Sequence, residues 1–257
     1  TGHPEFQKAL SRLNMKNLDT MLSFDIIKSA ERGYADHGWL KSAHTFSFAN
    51  FYNPNQMGFS DLRVINDDYI AAGGGFGMHP HQSMEIFSYV TEGQLEHKDS
   101  MGNGEIIRSG DVQIMSAGSG VVHSEFNPTL DQTTHLFQIW IYPTEKGGTP
   151  TYQQKNFSRE EKSGKLKLII SDTQEDGSLF IKQNAKIYAG FFDKEDNINF
   201  YMNKNRSYYI HVISGNISFN NLPLSTGDGL KIFEGDGNLS IKDANQAEIL
   251  LFDLNKH

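Results

Sequence analysis

The chain contains no cysteine among its 257 residues. Disulfide bonds, thiolate metal sites and a cysteine nucleophile are therefore excluded. The absence of cysteine is compatible with a reducing compartment.

Basic residues are also in short supply, with 23 Lys and Arg against 31 Asp and Glu and a net charge of −8. This balance gives no basic footprint for direct contact with nucleic acid or an anionic membrane. No apolar run approaches the roughly 18 residues that span a bilayer, and the N-terminus lacks the pattern of a signal peptide. We therefore expect a soluble, cytoplasmic protein, and we expect residues 1–14, which precede Met15, to be an expression leader.

Helical periodicity is scarce, whereas short runs of period-two alternation recur between Gly, Asn and Asp residues. Short strands at this regular spacing are typical of a β-sandwich or barrel, and the 24 Gly, 18 Phe and 10 Tyr suit turns and strand faces. The sequence predicts an all-β fold. The clearest predicted strands lie at 84–90, 94–98, 105–107, 111–115, 121–126 and 136–141.

The second half of the chain repeats the first in outline. Val90-Thr91-Glu92-Gly93 is echoed by Val212-Ile213-Ser214-Gly215, and Gly110-Asp111 by Gly227-Asp228. The strand pattern breaks in between, at 143–165. Two similar barrels in tandem are the simplest explanation, with an N-terminal domain at 15–145 and a C-terminal domain at 146–257.

Two short pairs carry the main chemical signal, namely His79 with His81 and His123 with Glu125. The i, i+2 spacing places both members of each pair on one face of a β-strand. If the two strands are neighbours, three imidazoles and one carboxylate converge. This set suits a divalent transition metal such as Fe, Mn, Co, Ni or Cu, and four ligands around an octahedral ion leave two positions for substrate and dioxygen. A zinc site without catalysis is the alternative.

A strand that continues beyond His81 without a bulge keeps Ser83, Glu85, Phe87 and Tyr89 on the same face. Glu85 is then placed to accept a hydrogen bond from a ligand imidazole and orient it.

The glycine run from Gly73 to Gly77 and the Gly118-Ser119-Gly120 segment have weaker alternative interpretations. No Gly-Lys-Ser/Thr follows the run, so a phosphate loop is disfavoured and a bulge or tight turn near the metal is expected. Ser119 lacks the Gly-x-Ser-x-Gly elbow of a hydrolase nucleophile.

Of the remaining histidines, His44 is of interest because aromatic residues alternate around it. An apolar pocket beside the metal is expected from Phe46, Phe48, Phe76, Met78, Met115 and Trp140, each of which is otherwise ordinary barrel core. The other histidines are interpreted as structural or exposed, and they include His37, His97, His135 and His211.

The repeat predicts where a second metal site would be. Shifting the sequence by the repeat offset places Tyr201 and Asn203 at the positions of the first histidine pair, and Ser240 and Lys242 at those of the second pair. Because no ligand set survives there, we expect the metal only in the N-terminal barrel.

These motifs resemble those of the cupin superfamily. The pattern Gly73-x5-His79-x-His81-x3-Glu85-x7-Gly93 resembles its first motif, and GSGVVHSEFN resembles its second, with Gly118 where cupins usually carry proline. More closely, the chain is similar to the pirin family of bicupins, through HPHQSMEIFSYVTEG, SAGSGVVHSEFNP, GWLKSAHTFSF, FQIWIYP and the C-terminal LLFDL. The resemblance covers about residues 26–254.

This resemblance implies two tandem cupin barrels with one mononuclear metal, usually iron, in the N-terminal barrel. The ligands carried over are His79, His81, His123 and Glu125. Glu85 is the weaker candidate, because pirins take their carboxylate from the second motif. The expected cofactor is one divalent transition metal, with iron the first choice and Cu, Ni, Co, Mn or Zn the alternatives.

The resemblance also implies a reaction, since several bacterial pirin-like proteins are similar to quercetin 2,3-dioxygenases. We expect a flavonol-like substrate and O2, with cleavage to carbon monoxide and a depside. The expected base for the 3-hydroxyl is Glu125, or Glu85 through a water. The alternative is a redox-sensing regulatory protein that binds a protein partner, as the eukaryotic pirin does.

Overall fold

Strands make up nearly all of the regular structure in this computed structural model, which describes residues 13–16 and 20–257. The all-β prediction is confirmed. The predicted expression leader lies outside the described residues except for Leu13 and Asn14, which belong to the first strand. Among the described residues, no helix has the length and apolar character needed to cross a membrane.

The elements run in the following order. The strands are β1 (Leu13–Lys16), β2 (Thr20–Ile27), β3 (Gly33–Asp36), β4 (Leu40–His44), β5 (Leu62–Ile70), β6 (Gly75–His81), β7 (Glu85–Glu92), β8 (Gln94–Asp99), β9 (Gly104–Arg108), β10 (Asp111–Ser116), β11 (Val121–Phe126), β12 (Thr134–Ile141), β13 (Thr151–Asn156), β14 (Lys167–Ser171), β15 (Leu179–Phe180), β16 (Lys186–Phe192), β17 (Ile198–Met202), β18 (Arg206–Phe219), β19 (Leu222–Ser225) and β20 (Gly229–Asn255). One short helix, α1 (Arg159–Lys162), and two 3₁₀ turns (Ser29–Glu31 and Glu175–Gly177) complete the set. The six strands predicted between residues 84 and 141 correspond to β7 through β12.

The described chain divides into two compact units. The N-terminal unit holds Arg32–Arg159 and Ile169–Asn184. The C-terminal unit holds the described residues up to Glu31 together with Glu160–Leu168 and Ala185–His257.

The segments of the two units alternate along the sequence. This differs from the contiguous domains 15–145 and 146–257 expected from the sequence. The reason lies in strand pairing. β2 is antiparallel to β20, so the start of the described chain joins the C-terminal unit. β13 is antiparallel to β10, so residues beyond 145 join the N-terminal unit.

Two antiparallel sheets form most of the N-terminal unit. Seven strands lie in the order β13-β10-β7-β12-β5-β4-β3, and four lie in the order β6-β11-β8-β9. Side chains from the two sheets meet in the interior, where the Trp140 ring on β12 packs edge-on against His81 on β6 at 5.1 Å. The sheets therefore enclose the side chains of β6 and β11 between them.

A polar layer crosses the inner face of the larger sheet between two apolar clusters. Residues that pair directly across neighbouring strands share a face, and this layer runs through His44, Asn66, Gln138, Ser88 and Gln113. One apolar cluster lies on each side of it, the first containing Leu40, Ile70, Val90, Leu95, Ile107 and Leu136, the second Ile86, Met115, Ala117 and Val121. Polar residues on the inner face of a sheet are costly to bury, so their concentration in one layer marks the position of a site.

The C-terminal unit is organised around its longest strand, β20, which pairs with β2, β16, β17 and β18. Its core is one apolar cluster that includes Leu22, Met202, Ile210, Leu239 and Leu251, each at most 1% exposed.

The repeated glycines adopt equivalent backbone conformations in the two halves. Gly93 and Gly215 have φ of 79° and 82°, and Gly110 and Gly227 have φ of 88° and 85°. This left-handed region favours glycine. The shared conformation explains why these positions repeat in the sequence.

Candidate metal centre

The structure brings the three predicted histidines together. β6 and β11 are antiparallel neighbours, with His79 opposite His123 and His81 opposite Val121. The candidate ligand nitrogens of the three imidazoles all lie within 4.8 Å of one another. The sequence predicted that the strands carrying the two residue pairs would be neighbours, and this pairing brings the three rings into one cluster.

A bulge in β6 lies next to His79. His123 faces His79 but Glu125 faces Phe76, so β6 carries one extra residue at Gly77-Met78. The Nδ1–H group of His79 donates a hydrogen bond of 2.7 Å to the Gly77 carbonyl. This bond fixes the tautomer and leaves Nε2 with its lone pair.

Gly75 explains the close approach of β6 to β11. A Cβ at Gly75 would lie 2.1 Å from Phe126 Cβ and 2.7 Å from the Glu125 carbonyl oxygen. Only glycine fits this pairing, so the glycine run serves the bulge and close backbone approach expected from the sequence.

Burial keeps the imidazoles of His81 and His123 neutral. The pKa of His123 is lowered to about 3, first by burial and then by the neighbouring His79 and His81. The pKa of His81 is lowered to about 4 by burial and by His79. Both rings are therefore neutral at pH 7, which is the state that binds a metal.

Glu125 lies beside this cluster and is 2% exposed. Its Oε1 lies 3.6 Å from His123 Nε2 and accepts a hydrogen bond of 3.0 Å from Gln138 Nε2. Burial raises the pKa of Glu125 to about 7, against the lowering effect of the Gln138 hydrogen bond.

The donor set fits a divalent cation. Both ring nitrogens of His123 and Oε2 of Glu125 are buried without a hydrogen-bond partner in the described part of the chain. Buried polar atoms are normally paired, and unused lone pairs on imidazole and carboxylate point to a positively charged ligand. Three nitrogens with one oxygen suit a borderline transition metal.

Glu85 is not part of this cluster. Ser83 lies between β6 and β7 and has a φ of 49°, which is not an extended conformation. The predicted continuous strand from His79 to Tyr89 is therefore interrupted, and its alternate residues do not share one face. Glu85 begins β7 in the seven-stranded sheet, and its Oε1 accepts a hydrogen bond of 2.7 Å from the Lys182 amide. The predicted orientation of a ligand imidazole by Glu85 is therefore wrong for His79, whose acceptor is the Gly77 carbonyl.

Sequence reasoning missed a buried pair next to the cluster. His97 Nε2–H donates a hydrogen bond of 2.7 Å to Asp99 Oδ2, and both side chains are fully buried. Asp99 also accepts from the amides of Met101 and Asn103. The His97 ring centroid lies 5.4 Å from that of His123. The sequence contains a signal for this pair, because His97 and Asp99 have the same i, i+2 spacing as the two candidate ligand pairs.

A cavity of about 580 Å³ opens beside the cluster and is lined in part by His79, His81 and Glu125. Of the residues expected to form a pocket, Phe48, Phe76 and Trp140 line it, and so does His44. Phe46 and Met115 are instead buried in the interior, and Met78 is 59% exposed.

Comparisons with known proteins agree with this geometry. The Pirin family profile matches residues 27–141, and the profile of the quercetinase C-terminal cupin domain matches residues 168–254. A quercetin 2,3-dioxygenase of Escherichia coli (strain K12) is 50% identical over 227 residues, which are 88% of this chain and 96% of that protein. A pirin-like protein of Caulobacter vibrioides is 40% identical over 86% of this chain and 95% of its own length.

A solved structure extends the likeness to three dimensions. The bacterial pirin YhhW of Escherichia coli, in complex with nickel(II), is 47% identical and superposes with a TM-score of 0.86 over 91% of this chain and 100% of its own. The profiles, the relatives and this superposition agree, and the chain belongs to the pirin family, similar in sequence to quercetin 2,3-dioxygenases.

Proposed function

We propose that this chain is a metal-dependent dioxygenase that cleaves flavonols such as quercetin. The observation that carries the proposal is the cluster of three imidazoles beside a buried carboxylate at the wall of an aromatic-lined cavity. A concave, mostly apolar site with a few convergent polar groups is typical of a small-molecule pocket.

The residues proposed to hold the metal are His79, His81, His123 and Glu125, in the N-terminal unit alone. A divalent transition metal bound there would act as a Lewis acid, lowering the pKa of a coordinated hydroxyl, and would assist electron transfer to O2. Iron is our first choice and Cu, Ni, Co, Mn and Zn are the alternatives; the related YhhW structure contains nickel(II).

Glu125 is proposed as the base that removes the proton from the flavonol 3-hydroxyl. Its raised pKa of about 7 suits proton transfer near neutral pH, and Gln138 holds its Oε1 in place. Glu85 acting through a water is the weaker proposal, because its Oε1 is engaged by the Lys182 amide.

The cavity walls are proposed to hold the flat substrate and exclude water. Phe48 packs edge-on against Trp140 at 5.5 Å, which in turn contacts His81 at 5.1 Å. In the reaction both oxygen atoms of O2 enter the depside product, two ring carbon–carbon bonds break, and the carbon between them leaves as carbon monoxide.

The test is turnover of quercetin by metal-free protein reconstituted with each metal in turn. We expect loss of the quercetin absorbance band under air, with stoichiometric CO, for at least one metal. Glu125→Ala separates the two roles of the carboxylate. Loss of turnover with the metal retained assigns the base role, and loss of both assigns ligation. An unchanged quercetin band with every metal, and no CO, would contradict the proposed reaction.

The regulatory alternative, in which the redox state of the metal sets the affinity of this chain for a protein partner, stays a prediction. A cytoplasmic location also stays a prediction. Neither is required by the proposed reaction.

A further inference from the structure

Two cross-strand pairs form a second polar group in the cavity, outside the candidate metal ligands. On β4 and β5, Ser42 lies directly opposite Asp68 and His44 directly opposite Asn66. All four side chains are at most 6% exposed, and all four line the same cavity as the candidate ligands.

The two pairs differ in how their hydrogen bonds are satisfied. Ser42 Oγ–H donates a hydrogen bond to Asp68 Oδ1, so these two residues are hydrogen-bonded to each other. His44 Nδ1 and Asn66 Oδ1, in contrast, are buried with no hydrogen-bond partner among the described residues. Because buried polar atoms are normally paired, the second pair is suited to a ligand that carries its own hydrogen-bonding groups.

Aromatic side chains line one wall of the cavity between this second group and the metal centre. The His44 ring packs edge-on against Phe48 at 5.1 Å, Phe48 against Trp140 at 5.5 Å, and Trp140 against His81 at 5.1 Å. A ligand that follows these rings from His81 to His44 matches them best if it is flat and apolar in its middle and polar at both ends.

The spacing of the second group also limits the ligand. Directly opposite residues on antiparallel strands have Cβ atoms about 4.5–5.5 Å apart, so His44 and Asn66 can both reach adjacent substituents on one aromatic ring. Asn66 Oδ1 accepts only, and His44 Nδ1 donates or accepts according to its tautomer. Two neighbouring phenolic hydroxyls match this set.

We propose that His44 and Asn66, supported by the Ser42–Asp68 pair, form a recognition site for a catechol on the part of the substrate remote from the metal-bound hydroxyl. This inference rests on the proposed function and deepens it, since it names the substrate subclass as flavonols with adjacent hydroxyls on the distal ring.

The experiment measures binding without turnover. Nickel(II)-loaded protein is titrated under anaerobic conditions with quercetin and with galangin, a flavonol that differs from quercetin only in lacking the two catechol hydroxyls. We expect wild-type protein to prefer quercetin by roughly tenfold or more, since each neutral hydrogen bond contributes a severalfold change in affinity. Asn66→Leu and His44→Phe should each reduce this preference severalfold and leave the affinity for galangin unchanged.

Two further variants separate recognition from folding. His44→Asn keeps a hydrogen-bonding atom near the position of Nδ1 and should retain the preference. Gln113→Leu alters the same polar layer outside the cavity lining and should leave the preference intact. The melting temperature and bound nickel are measured for each variant.

The outcomes distinguish this inference from the proposed reaction. Equal binding of the two flavonols by wild-type protein, or an unchanged preference in both His44→Phe and Asn66→Leu, would overturn the recognition site even if quercetin is cleaved. A catechol preference that these variants remove supports the site even if no CO is formed under air.

Discussion

Gln138 Nε2 donates a hydrogen bond of 3.0 Å to Glu125 Oε1 across the two sheets of the N-terminal unit. This bond fixes one carboxylate oxygen and leaves Oε2, which has no partner in the described chain. Residues that orient a metal ligand typically change metal affinity by 10–100-fold when removed.

The first prediction concerns this bond. Gln138→Leu should weaken metal binding by roughly 10–100-fold, measured by competition with a chromophoric chelator. Gln153→Leu is the control, because the side chain of Gln153 is likewise hydrogen-bonded, to the backbone of Phe180, away from the cavity. Equal metal affinity in Gln138→Leu and wild-type protein would show that the carboxylate needs no orienting partner.

The second prediction is the pH dependence of metal binding. In the metal-free protein the pKa of Glu125 is about 7, so below that pH a proton must leave the carboxyl before the metal binds. His81 and His123, with pKa values of about 4 and 3, release no proton between pH 5 and 7. The affinity should therefore fall about tenfold per pH unit below pH 7 and level off above it.

Isothermal titration of Ni(II) into metal-free protein from pH 5.5 to 8 measures this dependence. Glu125→Gln removes the titrating group and should flatten the profile while lowering the affinity at pH 8. A slope that persists in Glu125→Gln would assign the proton to another group.

The proximity of the three histidines could be predicted from the sequence because it depends mostly on local spacing. An i, i+2 pair fixes two side chains on one face of a strand, and the pairing of β6 with β11 does the rest. Glu85 was harder, because the prediction of its face depended on an unbroken strand and Ser83 has φ of 49°.

Pairing between strands that are far apart in the sequence could not be predicted. β2 pairs with β20 more than 200 positions along the chain, as in Thr20 opposite Gly237, and no local pattern specifies that choice. The polar layer was missed for the same reason. His44, Asn66 and Gln138 come from three separate segments, and only the register of β4, β5 and β12 places them side by side.

The third prediction concerns the buried pair beside His123. Asp99→Asn replaces an acceptor that His97 Nε2–H needs, and the His97 ring packs against His123. Because a buried donor loses its charged acceptor, the free energy of unfolding should fall by about 1–3 kcal/mol. Metal affinity should fall as well, since the support of one ligand ring changes.

Urea unfolding of metal-free protein and chelator competition measure the two effects separately. Asp131→Asn, at an exposed position, is the control for the loss of one negative charge. Unfolding and metal affinity that match those of Asp131→Asn would show that the His97–Asp99 pair does not support the site.

The fourth prediction is a stability change that depends on pH. Burial raises the pKa of Asp68 from 3.8 to about 7, against the lowering effect of the Ser42 hydrogen bond. Between these two pH values the folded protein holds a proton that the unfolded chain has released. The contribution of Asp68 to stability therefore falls as pH rises from about 4 to 7 and is constant above that.

Asp68→Asn removes this dependence and keeps an oxygen that can accept from Ser42. Relative to wild type, the variant should gain stability at pH 8 over pH 4.5. The gain is at most about 3 kcal/mol, because about 2.5 pH units separate pH 4.5 from the raised pKa and each is worth about 1.4 kcal/mol. Urea unfolding of the metal-free proteins at the two pH values measures the gain. If the difference between variant and wild type is the same at both, Asp68 ionises normally in the fold, and its carboxylate would then face the cavity charged at neutral pH, beside the similarly buried Glu125.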